Sequence, residues 1–112
     1  MGRGDGQVWR LERRWGQEHG RELVGEIAIA GFDFPWLSGR FTPQPAFAVF
    51  KPWFDEARAV LAEEDFERFD EVYASIARRL TLVSPTGPVA EFLLHIEGDE
   101  ARFRWSDTPF EP

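Results

Sequence analysis

Hydrophobic and polar residues alternate on both sides of Gly98-Asp99, near the C-terminal end of the chain. This pair suits a tight turn, so the two runs predict a β-hairpin. With these residues as the loop, Leu94 lies opposite Phe103 and His95 lies opposite Arg102. The apolar face comprises Phe92, Leu94, Ile96, Ala101, Phe103 and Trp105. The other face, mostly charged, comprises Glu91, Leu93, His95, Glu97, Arg102 and Arg104. Such a sheet requires an apolar layer on its first face.

Two further alternating runs near the N-terminus predict a second antiparallel pair of strands. The first spans residues 8–15 and places on one side Trp9, Leu11, Arg13 and Trp15. The second spans about residues 22–30 and places on one face Leu23, Gly25, Ile27 and Ile29. The polar connector GQEHG joins the two runs.

Residues 47–61 and 66–80 carry apolar side chains at the spacing of an amphipathic α-helix. The two seams are Phe47, Phe50, Phe54, Ala57, Leu61 and Phe66, Phe69, Tyr73, Ile76, Leu80. They predict two helices joined near residues 62–65, with Asp65 as the N-cap of the second. Pro52 interrupts the first seam, so that helix either begins or kinks there. The outer faces are acidic: Asp55, Glu56, Glu63, Glu64, Glu67, Asp70 and Glu71.

The order of predicted elements defines the fold class. A short strand near residues 80–83 and a Pro-Thr-Gly-Pro turn at residues 85–88 precede the C-terminal hairpin, so the order is β-β-α-α-β-β-β. The fold is therefore predicted to be α+β, an antiparallel sheet with a helical hairpin packed on one face. The chain of 112 residues is long enough for one core. We assign residues 7–112 to a single domain and residues 1–6 to a flexible N-terminal tail.

Residues 31–45, GFDFPWLSGRFTPQP, break every periodicity because three prolines and two glycines interrupt them. We therefore predict an irregular aromatic loop. Trp36 and Arg40 belong to the residue types that dominate interface hot spots. In one interpretation the loop is a binding surface. In the other it is a structural plug, in which Asp33 caps a turn and pairs with Arg40. A mixed arrangement would bury the Phe residues and expose Trp36.

Composition narrows the classes of function. The chain has no Cys, which excludes disulfides and thiol chemistry and fits a cytoplasmic protein. No apolar run approaches the ~18 residues of a membrane span, and no signal peptide is evident. The net charge of −7 and the pI near 4.8 argue against nucleic-acid binding and favour a basic protein partner.

Candidate chemistry centres on His95, because Glu91, Glu97 and Arg102 share its sheet face. A histidine among charged groups can act in acid–base chemistry, but cross-strand pairs on a solvated face explain the same pattern. No metal-ligand spacing, nucleophile elbow or glycine-rich phosphate loop is present. We therefore predict no catalytic residue, no metal and no cofactor. The candidate binding residues are Asp33, Trp36, Arg40, His95, Arg102 and Arg104.

Three runs, DFPWLSGRF, PAFAVFKPWFDE and EFLLHIEGDEARFRWSDTPF, resemble a group of short uncharacterised proteins from high-GC actinobacteria. The resemblance covers most of the chain. Since the group has no assigned activity, it implies only a bacterial, cytosolic protein, and no site residue is transferred from it.

Together these patterns favour a non-enzymatic cytosolic binding protein that engages a protein partner, in the manner of an inhibitor or immunity protein. The alternative is a small-ligand-binding domain or an enzyme, with a pocket between the sheet and the aromatic loop. A pocket lined by Trp36, Arg40 and His95 would favour the alternative. An exposed Trp36 or a continuous acidic face would favour the protein partner.

Overall fold

A computed structural model describes residues 7–14 and 21–106. Within these residues, seven strands form one antiparallel sheet, and two helices form a hairpin packed on it, which confirms the predicted α+β fold. The elements are β1 Val8–Arg14, β2 Arg21–Asp33, β3 Trp36–Pro43, α1 Phe47–Ala62, α2 Phe66–Arg79, β4 Leu80–Ser84, β5 Gly87–Pro88, β6 Glu91–Glu97 and β7 Glu100–Ser106. The order across the sheet is β5-β4-β1-β2-β3-β7-β6.

Some predictions concern residues that the structure does not describe. The N-terminal tail of residues 1–6, Trp15 and the GQEHG connector lie outside the described residues, as do residues 107–112. Of the elements that are described, neither helix has the length and apolar character needed to cross a bilayer.

The aromatic segment is a β-hairpin, so its prediction as an irregular loop is wrong. β2 continues to Asp33, the chain turns at Phe34 and Pro35 through a cis peptide bond, and β3 begins at Trp36. β3 is hydrogen-bonded to β2 on one side and to β7 on the other. These two ladders outweigh the poor strand propensity of the segment. A glycine is required at position 39, because a Cβ there would collide with the backbone of Ala28.

A bulge between β1 and β2 changes which residues of β2 face inward. Leu11 pairs with Gly25 and Glu12 pairs with Leu23, so Val24 is the extra residue. Val24 is fully buried, whereas Leu23, which we predicted on the apolar face, is half-buried and lies outside the core cluster. A simple alternation cannot reveal such an insertion, because the bulge depends on the partner strand.

The sheet curls strongly around its apolar face. β2 and β3 lie between β1 and β7, so the side chains of Trp9 and Phe103 would be at least ~14 Å apart in a flat sheet. Their ring centroids are instead 4.9 Å apart. Leu82, Leu94 and other apolar side chains complete the enclosed core.

The two edges of the sheet meet at one corner of this curl. The Val89 N–H donates to the Leu82 carbonyl at 3.0 Å, which ties the corner to β4. The next residue, Ala90, donates its N–H to the Ser106 carbonyl at 3.1 Å, which ties the corner to β7. The rest of the open side is occupied by the helices, since α1 contacts β6 and α2 contacts β4.

The helical seams agree with the prediction over most of their length. The buried side chains are Phe47, Phe50, Phe54, Ala57, Phe69, Tyr73 and Ile76, while the acidic outer residues are exposed. Val60 is buried where we predicted Leu61, which is half-buried. Phe66, predicted in the second seam, is 60% exposed. It is the first residue of α2, and the buried residues of this helix begin one turn later, at Phe69. Pro52 lies inside α1 and does not begin it.

The two helices are joined by a Schellman turn. The N–H groups of Glu64 and Asp65 donate to the carbonyls of Leu61 and Val60 at 2.9 and 3.0 Å. Glu64 adopts a φ of 61°, at the position where glycine is most common. The Asp65 side chain accepts from the Arg68 N–H at 3.3 Å, which confirms Asp65 as the N-cap.

Tyr73 connects α2 to the outer edge of β6, the terminal strand of the sheet. Its hydroxyl donates to the Phe92 carbonyl at 3.0 Å and accepts from the Leu94 N–H at 2.8 Å. Burial raises the pKa of Tyr73 above its ordinary value, so the hydroxyl keeps its proton at neutral pH. One side chain thus satisfies two backbone groups that no neighbouring strand can reach.

We expect Tyr73→Phe to lower the free energy of unfolding by about 1–3 kcal/mol, because it leaves a buried carbonyl and a buried N–H without partners. Urea denaturation measures the loss. Amide hydrogen exchange localises the loss. The Leu94 amide should exchange faster, while the amide of the neighbouring His95, which is directed toward β7, should change little. An unchanged Leu94 exchange rate would contradict the edge-capping role of Tyr73.

The C-terminal hairpin has the predicted register, with Leu94 opposite Phe103 and a φ of 62° at Gly98. Leu94 and Phe103 are fully buried, so replacing either with Ala should lower the free energy of unfolding by about 2–5 kcal/mol through lost burial and cavity formation. Leu93→Ala is the matched control on the opposite face and should cost about 1 kcal/mol, since that side chain is only half-buried. Equal losses in chemical denaturation would show that the faces are misassigned.

Candidate functional site

The outward face of β3, β7 and β6 carries a row of three polar side chains. Ser38, Arg102 and His95 occupy directly paired positions on these neighbouring strands. Directly paired residues have Cβ atoms about 5 Å apart, so a hydroxyl, a guanidinium and an imidazole lie side by side. Gly31 of β2 pairs with Ser38 and leaves room for its hydroxyl, because a Cβ at Gly31 would lie 2.8 Å from Ser38 Oγ.

Aromatic rings hold this row in place. The ring centroid of His95 lies 5.8 Å from that of Trp36 and 6.1 Å from that of Phe69. The guanidinium of Arg102 lies over the Trp36 ring, 4.1 Å from its centroid. Such a contact between a cation and an aromatic face is favourable and fixes the orientation of the cation. The result is a chain of contacts from the guanidinium through the indole and the imidazole to the phenyl ring.

The helical hairpin reaches past the edge of β6 and covers part of this outward face. Phe69 of α2 packs on His95, and Arg58 of α1 lies 3.2 Å from Glu97, measured from Nη2 to Oε2. The interpretation of this face as simply solvated therefore needs correction at His95, which is half-buried. Between α1 and the strands lies an open cleft of about 880 Å³.

The charged groups that line the cleft leave it net negative. Four carboxylates and two guanidiniums line it: Asp33, Asp55, Glu97, Glu100, Arg58 and Arg102. Arg58 is shared between Glu97 and Asp55, at 3.2 and 3.9 Å. Arg102, by contrast, makes no ion pair with any residue in the described part of the chain.

His95 is poised to stay neutral. Burial lowers the pKa of His95 below its ordinary value of 6.5, and the positive charge of Arg102 lowers it further. At neutral pH the imidazole therefore offers one N–H donor and one nitrogen acceptor. This neutral ring beside the Arg102 guanidinium can receive a ligand group without first losing a proton.

The structure brings together some of the predicted site residues and separates others. Asp33, His95 and Arg102 line the cleft, and Trp36 contacts two of them. Arg40 lies outside the cleft lining and pairs with Asp99 at 3.8 Å. The predicted pairing of Asp33 with Arg40 is wrong, because Asp33 lies at the tip of the β2–β3 hairpin, whereas Arg40 lies further along β3, opposite Ala28. Arg104 is exposed on the same face of β7 but does not line the cleft.

Several contributors to the site, among them Ser38, Arg58 and Glu100, are not predicted from the sequence. Ser38 is not predicted to belong to the site, because its segment is predicted to be an irregular loop. In strand β3 the alternation of Trp36, Ser38 and Arg40 places all three on the outward face. Arg58 and Glu100 carry no local signal, since only the packing of α1 beside β6 brings them to one cleft.

The tip of the β2–β3 hairpin exposes two aromatic rings. Phe32 and Phe34 are 69% and 81% exposed, and their ring centroids are 6.3 Å apart. Trp36 is half-buried by its contacts with Arg102 and His95. The mixed arrangement predicted from the sequence buries the Phe residues and exposes Trp36. At the tip the opposite holds, since Phe32 and Phe34 are exposed and Trp36 is half-buried. Phe41, further along β3, is buried as that prediction requires.

Comparisons with protein-family models, with curated proteins and with solved structures find no match to this chain. The resemblance to actinobacterial proteins stays a prediction. Among residues 7–14 and 21–106, no cluster of three or more His, Asp or Glu side chains has the arrangement of a metal site. The cleft and the hairpin tip are therefore the features of the described residues that bear on function.

We expect Arg102→Gln to raise the pKa of His95 toward 6.5 without reaching it, because burial is the larger cause of the lowered value. Titration of the imidazole resonance by NMR measures this change. Arg10→Gln, on the distant strand β1, is the control and should leave the His95 pKa unchanged. An unaltered pKa in Arg102→Gln would mean that the imidazole does not experience the guanidinium charge.

The same pKa makes stability depend on pH. Below pH 6.5 the unfolded state binds the His95 proton more readily than the folded state does. The contribution of His95 to the free energy of unfolding should therefore decrease as the pH falls from 6.5 to the lower folded-state pKa. Arg102→Gln should reduce this decrease, which urea denaturation at several pH values can measure.

Proposed function

We propose that this protein is a non-enzymatic binding protein that engages a basic segment of a protein partner at the cleft and the adjoining hairpin tip. The observation that carries the proposal is the exposed pair Phe32 and Phe34 beside a net-negative cleft. Asp33, between these two residues, lines the cleft, so the tip borders it. A partner segment can contact both features at once.

The exposed rings supply an apolar anchor. Phe32 pairs with Leu37, whose side chain packs against the core, yet Phe32 itself remains 69% exposed because the hairpin extends beyond the core. Neighbouring exposed apolar side chains mark interaction sites more reliably than isolated ones. Aromatic residues are enriched at protein interfaces, where burial of a ring contributes a large apolar area.

Charge supports a basic partner. The chain carries a net charge of −7, and the outer faces of both helices present exposed acids. A negative potential of this kind attracts positively charged partners and raises the rate of association. A cytoplasmic location in a bacterium belongs to the same proposal and is supported by the absence of Cys from the sequence. Small size and acidity also fit an inhibitor- or immunity-like role.

A second candidate, a small-ligand-binding domain or an enzyme, is favoured by the cleft itself, whose volume of about 880 Å³ lies within the range of ligand pockets. Its lining lacks Trp36 and Arg40, two of the three residues expected for such a pocket. Ser38 and His95 are two strands apart, about 10 Å, with Arg102 between them. This separation exceeds the hydrogen-bond reach that a nucleophile and its base require, which argues against hydrolytic catalysis by this pair.

Phe34→Ser tests the proposal. We expect at least a tenfold loss of affinity for the partner, about 1.4 kcal/mol, because the variant removes an exposed anchor. The matched control is Val49→Ser, which alters a 56% exposed apolar side chain on α1 outside the cleft lining. Both variants should keep the melting temperature of the wild type, since neither side chain belongs to the core.

The measurement is capture from a lysate of the source organism on immobilised wild type, Phe34→Ser and Val49→Ser, followed by quantitative mass spectrometry. The proposal requires a basic protein that the wild type and Val49→Ser retain and that Phe34→Ser loses. Its affinity is then measured with the purified components at two salt concentrations. Capture that is indifferent to Phe34, or a Phe34-dependent partner that is acidic, would overturn the proposal.

A further inference from the structure

We propose that the row of Ser38, Arg102 and His95 is a carboxylate-binding site, so that the segment bound in the cleft presents a carboxylate to Arg102 and flanks it with basic side chains. This inference deepens the proposed function and rests on it for the identity of the ligand as a protein segment. It is carried by the guanidinium at the centre of the row, which makes no ion pair with the residues that the structure describes.

The Arg102 side chain is oriented to bind an anion. Its guanidinium lies over the Trp36 ring, 4.1 Å from the ring centroid, and pairs with none of the carboxylates that line the same cleft. The planar group presents N–H donors in a rigid fork that matches a carboxylate. Because stacking has already fixed the side chain, a ligand that binds it costs less conformational entropy.

Ser38 and His95 complete the donor set on either side of Arg102. The Ser38 hydroxyl and the neutral imidazole of His95 each offer a donor, and neither has a hydrogen bond within the described residues. A carboxylate accepts several hydrogen bonds, so one such group can engage the guanidinium and a flanking donor together. The pKa of His95 should rise when an anion binds, because the anion offsets the charge of Arg102.

The surrounding acids restrict what the ligand can be. Asp33, Glu97 and Glu100 line the same cleft, so a free polyanion such as a phosphate ester would be repelled. A single carboxylate flanked by Lys or Arg side chains satisfies both the central guanidinium and the acids around it. This charge pattern is available from the C-terminus of a basic chain, or from an Asp or Glu side chain within a basic segment.

Defined peptides distinguish these two sources. The probes are acetyl-Lys-Ala-Lys with a free C-terminal carboxylate, the same peptide as its C-terminal amide, and acetyl-Lys-Glu-Lys amide, whose only carboxylate is on a side chain. NMR spectra of the full chain report each Kd and the pKa of His95. We expect at least tenfold tighter binding of one carboxylate-bearing peptide than of the Ala amide, together with a raised pKa of His95.

Two variants localise the effect. Arg102→Gln should remove the difference between the carboxylate-bearing peptide and the Ala amide, and its exposed position makes retention of the fold expected. Arg104→Gln, on the same face of β7 but outside the cleft lining, should preserve the difference. Ser38→Ala should reduce it by a few-fold.

Three outcomes would overturn the carboxylate site. The three peptides could bind with equal affinity, none of them could bind, or the preference for a carboxylate could survive Arg102→Gln. None of these results affects the Phe34-dependent capture of a basic partner, so the two proposals can fail separately. A partner that is captured through Phe34 but shows no dependence on Arg102 would leave the proposed function standing and remove this inference.

Discussion

The inward curl of the sheet is the constraint on which the rest of the structure depends. A seven-stranded sheet with one apolar face must enclose that face, and the contact between Trp9 and Phe103 shows how far the outer strands approach each other. Closure at Val89 and Ala90 leaves the remaining opening to the helical hairpin. The core therefore lies inside the curl, with α1 and α2 closing the open side.

The curl leaves β6 as a terminal strand, and the treatment of its edge determines where the candidate site forms. An unpaired strand edge exposes backbone groups that attract other strands. Here the Tyr73 hydroxyl satisfies two of those groups and ties α2 to the edge. With α2 tied there, Phe69 packs on the outward face of β6 and Arg58 of α1 reaches Glu97. The contact that caps the edge of β6 thus also positions the helices that form the second wall of the cleft.

Electrostatics within that cleft follow from competition between stacking and ion pairing. Arg58 pairs with Glu97 and Asp55, whereas Arg102 stacks on Trp36 and makes no ion pair within the described residues. An exposed ion pair contributes little in water, so stacking on an aromatic ring is a competitive alternative for an arginine. The guanidinium remains available to a ligand, and its charge helps keep His95 neutral.

The sequence by itself determined those elements whose cause is local. Alternation around Gly98 specified the C-terminal hairpin and hence the opposition of His95 and Arg102, and helical spacing with the Asp65 cap specified the helical hairpin. Tertiary structure alone decided that Trp36 to Pro43 is a strand, because its ladders come from β2 and β7, and that Val24 replaces Leu23 in the core. It also decided the site, since Ser38 reaches the His95–Arg102 pair through the β3–β7 ladder, and Arg58 and Phe69 reach it through the packing of the helices around β6. Local periodicity carries no information about such contacts between residues far apart in the chain.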